Sequence, residues 1–435
     1  MSAAVPKSSV GESDAASFGR SFLEHILSQI PEVEDSHATL RQQARAQLAE
    51  LGIPTPREED WKYSDLSPLV AHAFRLAGPG DLGLERATLE PWLWPESRHS
   101  YAVFVNGYFA PQLSDLSGLP SALRIAPLSQ SAPGLLQTIA KVDVFSALNT
   151  AHLADRIQIE LPPQQEVLPP LHLLWVTVAS EGEAVLAQPR CLVALQAHSS
   201  LTLIEDHVSW GAGIPFGNAV TEIALAEGSR LHHVILQRQG SQAFHINQTA
   251  VRQGRDSHYR LQAIQWGSQF SRHNLELVQV EPQAHTQLQG LTLVKGSQHS
   301  DTHSRLLHQA PHGSSRQLHK CIVDEAARAV FSGRILVSQA AQLTDAAQTN
   351  RNLLLSPKAR VDTRPQLEIF ADNVKCAHGA TVSQLEAEEI FYLQSRGIPQ
   401  AQARQLLTYA FAAEILEGIP LAQLPSQVAK RLGSG

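Results

Sequence analysis

Apolar residues recur at helical spacing near both ends of the chain and at alternating spacing between them, so the pattern divides into helix, strand and helix again. Phe18, Phe22, Ile26 and Ile30 stand four residues apart, and Leu40, Ala44 and Leu48 repeat that spacing before Gly52. Two amphipathic helices are expected there, the second stopped by its glycine. The segment Pro54 to Leu66 (PTPREEDWKYSDL) breaks the pattern with prolines, a charge cluster and the aromatics Trp61 and Tyr63, and reads as a linker pinned by those aromatics. From Tyr101 the runs become short and alternating, and Asn106-Gly107 within YAVFVNGYF marks a tight hairpin turn.

An internal repeat follows. Leu171, Leu201, Leu231, Leu261 and Leu291 are thirty residues apart, and three positions after each stand Leu174, Ile204, Val234, Ile264 and Val294. About two short strands fit in each period, separated by turns at Gly228-Ser229, Gly240-Ser241, Gly254-Arg255 and Gly296-Ser297. A helical solenoid would need a 3.6-residue period, whereas Ser200 to Ile204 and Tyr259 to Ala263 alternate. The reading is a right-handed parallel β-helix over residues 100–380 with both ladders stacked in a dry central core. The frequent His, Gln and Arg residues between 230 and 320 are expected to face outward. The open ends of such a coil are unpaired edges, which gives helical domains at residues 1–99 and 381–435 the task of covering them.

In the C-terminal part, Ser383 and Glu386 have capping-box spacing ahead of Leu385, Ile390 and Leu393, and Gly397 follows as a stop. The next helix opens near Pro399 and carries Ala403, Leu406, Leu407, Ala410, Phe411 and Ile415 on one expected stripe before Gly418. That stripe either packs on the coil or is a docking face.

Composition narrows the function. The 435 residues exceed a single domain of ~100–200 residues. Charged residues make up only 17% while histidine occurs 20 times, and the formal net charge is −7. No basic face for nucleic acid and no polybasic anchor for anionic lipid is expected. Three scattered cysteines fit free thiols in a reducing compartment. The opening residues lack an apolar core and bring Glu12 and Asp14 early, and no run approaches the ~18 apolar residues of a membrane span. A soluble, cytoplasmic protein is expected.

The chemistry-bearing motif is NVKCAHGATVS, Asn373 to Ser383, where Cys376 and His378 form a soft-metal donor pair. A closed tetrahedral site needs four ligands, and Cys191 and Cys321 have no thiol close beside them. Either the pair is structural, or it shares a site with another chain. No catalytic motif accompanies it. GLTLVKGS at Gly290 to Ser297 places its lysine before the glycine and cannot cradle phosphate, Gly211, Gly213 and Gly217 are not a dinucleotide fingerprint, and HExxH and GxSxG are missing. His232, His233, His299, His303, His308 and His312 have no compact ligand spacing and are expected to face solvent. A β-helix polysaccharide lyase or hydrolase is one alternative, which the few paired acids of the strand region disfavour. A stand-alone His-rich metal-binding protein is another.

The runs SRQLHKCIV (Ser315 to Val323) and AVFSG (Ala329 to Gly333), the block Arg364 to Phe411, and the upstream PTPREEDWKYSDL and FVNGYF together resemble the SufB/SufD family of the SUF iron–sulfur cluster assembly system. SufB-like chains are longer, commonly carry extra cysteines near the N-terminus and read His-Glu-Ala-Thr where this chain reads His378-Gly379-Ala380-Thr381, so the SufD branch is the better match. The resemblance implies a helical N-terminal domain, a right-handed parallel β-helix and a helical C-terminal domain. It also implies a non-enzymatic subunit that joins SufB and two copies of the ATPase SufC. His378, with Cys376 as the neighbouring thiol, would serve a transient iron–sulfur cluster shared with a SufB cysteine. Leu406, Ala410 and Phe411 would contact SufC, on which ATP is hydrolysed. Reduced flavin has been associated with such complexes, although no flavin motif stands in this sequence. Whether the chain forms a homodimer before meeting SufB is left open.

Overall fold

The computed structural model describes residues 12–78, 84–127, 142–153 and 157–433. Of the opening stretch 1–20, which lacks the apolar core expected of a leader, residues 1–11 lie outside the described residues. Helices α1 (Glu12–Leu27) and α2 (Ala38–Leu51) form where the four-residue spacing placed them, and Gly52 follows at φ 64°. Short helices α3 (Ser67–Val70) and α4 (Arg86–Leu89) come next. The strand Tyr101–Val105 then turns through Asn106 and Gly107, both at positive φ, into its antiparallel partner Tyr108–Phe109. That is the mirror-image turn which Asn-Gly favours. The alternation gave no warning of helix α5 (Val144–His152), which is closed at its N-terminus by an Asp143–Ser146 capping box.

Beyond α5 the chain winds into a β-solenoid of about 8 turns. Successive strands alternate between two sheets, one of 11 strands and one of 10, and within each sheet the coiled strands pair in parallel. The first sheet ends on Arg360–Ile369 and the second on Lys375–Ser383.

The thirty-residue register does not hold. Leu201 pairs with Leu231 as expected, but Leu231 pairs with Tyr259, Leu261 with Leu288, and Ile264 with Leu291. Coil length therefore varies, and an odd change turns Leu291 to the opposite face. Nor do the two ladders share a core. Leu171, Leu201, Leu231 and Leu261 lie between the sheets with Val193, Ile223 and Leu306. Ile204, Val234, Ile264 and Leu291 instead pack on the outside under Ile415, Leu416, Leu424 and Val428. The reason is elementary: side chains three apart on a strand of period two point to opposite faces.

The helices consequently cover faces rather than ends. Phe22, Ile26 and Leu48 of α1 and α2, with Phe145 of α5, bury Phe216, Phe244 and Phe270 of the first sheet. Helices α7 (Gln400–Leu416) and α8 (Leu424–Gly433) serve the second sheet, and α6 (Ala387–Ser395) packs against α7. An apolar outer stripe gains more from cover than an edge does, because each buried aliphatic or aromatic side chain contributes roughly 1.5–3 kcal/mol. Among the described residues the edges at Arg360–Ile369 and Lys375–Ser383 keep no strand beyond them.

The charged linker is pinned on the first sheet, as its aromatics suggested. Trp61 is buried beneath the guanidinium of Arg272, 3.8 Å from the ring centre, while Ser64 donates to Asp301 at 2.5 Å and Glu59 pairs with Arg364.

Candidate functional site

Cys376 and His378 stand on the last strand of the second sheet, over Ala346 and Gln348 respectively. Being two apart they share one face, about 6.6 Å from each other along the strand. Cys376 is half-buried against the aliphatic cluster between the sheets, so this face is the inward one, at the open mouth of the coil. His378 is exposed. Burial raises the Cys376 thiol above its ordinary range, and the Asp345 carboxylate adds to that against a backbone hydrogen bond at Ala346. A metal must displace that proton, so binding falls as pH falls. Among the described residues no three His, Cys, Asp or Glu side chains are placed to hold a metal. The pair supplies two donors and needs others.

The two end strands that frame this mouth carry exposed apolar side chains, Ile369 with the following Phe370 (62% exposed) and Val382 (52%), beside the exposed Arg360 and Lys375, and Phe391 and Tyr392 of α6 are likewise exposed. A strand with one unpaired edge and exposed apolar neighbours is a template for another chain.

Behind the mouth the interior is not the expected dry aliphatic core. His233 lies 2.9 Å from Glu205, which also accepts from Thr221, and 3.0 Å from the Tyr259 hydroxyl. Further along, His273 meets Thr249, Gln265 accepts from Thr292, Ser300 and Thr302, His319 meets Thr292, and Gln348 donates to Gln317 at 2.7 Å. The last of these coils lies directly under His378. Burial pushes His273 down to about 3 and His319 to about 4, so both are neutral at pH 7, and it pushes Cys321 up to about 12. Glu205 stays below its ordinary value although burial opposes it, because the hydrogen bond and charge of His233 outweigh that penalty.

These histidines correct the solvent-facing expectation: His233 and His308 are fully buried, and only His312 of the six named is plainly exposed. The legible signal was parity. Ser271, His273, Leu275, Leu277 and Gln279 alternate in one strand, so its polar members share the face of its leucines. Glycine makes room for them; a Cβ on Gly290 would sit 2.2 Å from His319 Nδ1.

Two further expectations change. Ser383 is the last strand residue, its hydroxyl donating to Asn352, and Glu386 stands at the start of α6 without a side-chain cap. On α7 the six apolar residues do not form one stripe. Ala403 and Ile415 are buried with Thr408, Ala412 and Leu416, whereas Leu406 and Ala410 face out. Phe411 lies between these faces, its carbonyl accepting from the buried Lys320 at 2.8 Å and its ring lying beneath the same ammonium. At 100° per residue, Leu406 and Ala410 fall well away from the buried arc Thr408–Ala412–Ile415.

The fold and site together define a helix-covered parallel β-solenoid whose open last coil presents a thiol and an imidazole. Its sequence matches the family model of the SufBD core domain, SUF system FeS cluster assembly, over residues 177–411, and that of the SufBD protein N-terminal region over 31–173. The chain belongs to the SufBD family, and it is a protein of SUF iron–sulfur cluster assembly. It is 43% identical to an iron–sulfur cluster assembly SufBD family protein of Synechocystis, over 91% of this chain and 90% of that one. It is 34% identical to the iron–sulfur cluster assembly protein SufD of Escherichia coli, over 90% and 91%. A SufBD family protein of Mycobacterium tuberculosis is 26% identical over 86% of each chain. No helix among the described residues is long and apolar enough to cross a membrane.

Proposed function

We propose that this chain is a non-catalytic scaffold that pairs with a SufB-type subunit across its open last coil and helps to hold a nascent iron–sulfur cluster there. The observation that carries the reading is the placement of Cys376 and His378 on a strand whose outer edge has no partner among the described residues, two soft donors on one face with no third described ligand grouped with them. Clusters take thiolate ligands, and imidazole replaces some of them. A cluster destined for transfer is best held by few ligands from each side of a separable interface. A SufC-type ATPase docks on the exposed side of α7, through Leu406 and Ala410 with the edge of Phe411, and ATP is hydrolysed on that partner. The engagement of the buried carboxylates Glu205, Asp206, Glu222 and Asp301 by histidine or arginine favours a scaffold over a sugar-cleaving groove.

The test is His378→Ala in cells limited for iron. The variant should fold, recover its partners and yet support slower cluster formation, with Cys376→Ala less affected, and the isolated chain should hold no stoichiometric cluster. Wild-type assembly by His378→Ala, or a full cluster on the chain alone, would refute the shared site.

A further inference from the structure

A groove of about 420 Å³ crosses the outer face of the second sheet beside the C-terminal end of α7. It runs over the starts of the strands Ser200–Trp210, Arg230–Gln237, His258–Gln265 and His285–Val294 as far as Ser314. With ~4.8 Å between strands it is roughly 19 Å long. Among the described residues Arg230, His232, His258, Arg260 and His285 line it, and no carboxylate does. In a chain of net charge −7 that concentration of cationic and imidazole groups needs a reason.

Several of these groups have unused capacity. The Arg230 guanidinium makes no hydrogen bond or ion pair among the described residues, and the side chain is exposed. Arg260 donates through Nη2 to the Glu417 carbonyl at 3.0 Å, while its Nε is buried without a partner. His258 and His285 stack with ring centres 4.6 Å apart, and His285 Nδ1 lies 2.7 Å from the Ser314 hydroxyl. Arg230 pairs with His258 and His232 with Arg260 across adjacent strands. The two arginines are thus one strand and two residues apart, roughly 8 Å between Cα atoms.

We propose that this groove binds a diphosphate group, with Arg230 and Arg260 each gripping one phosphate and His258, paired with Arg230 and two residues from Arg260, donating from the corner between them. Guanidinium forks match phosphate oxygens two at a time, and two forks at this separation suit a linked pair of phosphates better than a single one. Two of the imidazoles in this groove are held below their ordinary range. His258 is held below its ordinary range by burial, then by His285 and Arg230, against the pull of Asp256. His232 is held down by burial, with Arg260 and His233 acting the same way against its bond to Gln262. A bound diphosphate reverses that balance, so binding takes up protons.

The experiment is calorimetric titration of the full chain with inorganic pyrophosphate at pH 7, in buffers of differing ionisation heat. Saturable one-site binding with net proton uptake is expected, weakened about 10-fold or more by Arg230→Ala and by Arg260→Gln, and weakened by salt. Arg260 also touches α7, so Arg230→Ala, remote from that helix, decides the matter if the other variant loosens the fold. Adenosine diphosphate forms a second arm: binding tighter than pyrophosphate identifies a nucleotide-borne group, and equal or weaker binding identifies the free anion. No saturable binding at millimolar pyrophosphate, binding undiminished in Arg230→Ala, or citrate binding as tightly as pyrophosphate would overturn the proposal. None of these results bears on the cluster site, which shares no residue with the groove.

Discussion

Replacing Asp301 by alanine should detach the charged linker from the solenoid while leaving the coil intact. Asp301 is buried, accepts from Arg272 at 2.6 Å and from Ser64 at 2.5 Å, and has His303 3.0 Å away. Arg272 is itself buried, so removing the carboxylate leaves its guanidinium with the Trp61 ring and Asn274 alone. An uncompensated buried charge of this kind costs about 3–5 kcal/mol. Each ~1.4 kcal/mol is tenfold, so opening of the linker should rise by roughly two to three and a half orders of magnitude. Trypsin cutting at Arg57 and Lys62 measures that opening directly, with the denaturation midpoint as the second readout. The acid side of the stability curve supplies an independent check. Burial raises the carboxyl pKa of Asp301, but the charge of Arg272, with that of His303, outweighs it and holds the group well below the ordinary carboxylate range. Its contribution is therefore present above the unfolded value of ~3.9 and lost as pH falls below that. Wild type should lose stability below roughly pH 4 more steeply than the variant. The double replacement Asp301→Leu with Arg272→Met should recover most of the loss, since a buried pair exchanged for apolar groups is near neutral. Unchanged trypsin cleavage and an unchanged midpoint in Asp301→Ala would refute this account of how the linker is held.

Three other outcomes are expected. Gly290→Ala forces a Cβ to within 2.2 Å of His319, which stacks on Phe331, and should destabilise by about 1–3 kcal/mol in chemical denaturation; a neutral substitution would show that the polar interior is loosely packed. Cys376 should alkylate slowly at neutral pH and faster as pH rises, and Asp345→Asn should speed the reaction by removing a charge that keeps the thiol protonated; a slower variant would contradict the assigned cause. Leu406→Asp lies on the exposed side of α7 at 45% exposure, so circular dichroism should be unchanged while recovery of the ATPase partner fails; normal recovery would remove that docking face.

What the sequence by itself determined were the features that depend on neighbours along the chain. Four-residue spacing placed α1 and α2, Asn106-Gly107 placed a hairpin turn, and alternation with regular turns announced a parallel coil of two strands per turn, because helix, turn and strand preferences act over a few residues. The NVKCAHGATVS motif and the family-like blocks were equally legible. The tertiary structure alone decided what depends on how one coil sits on the next. Coil lengths vary, so Leu291 left its ladder, and the offset of three sent Ile204, Val234 and Ile264 to the outer face under the C-terminal helices. The same parity carried His233, His273 and His319 inward, where partners from other coils make their burial tolerable. Composition alone suggested the reverse, since polar residues usually seek water. Cys376 and His378 were visible as a pair, but that they sit on the final coil, with one edge unpaired among the described residues, follows only from where the solenoid stops, a property of stacked strands that no local pattern encodes.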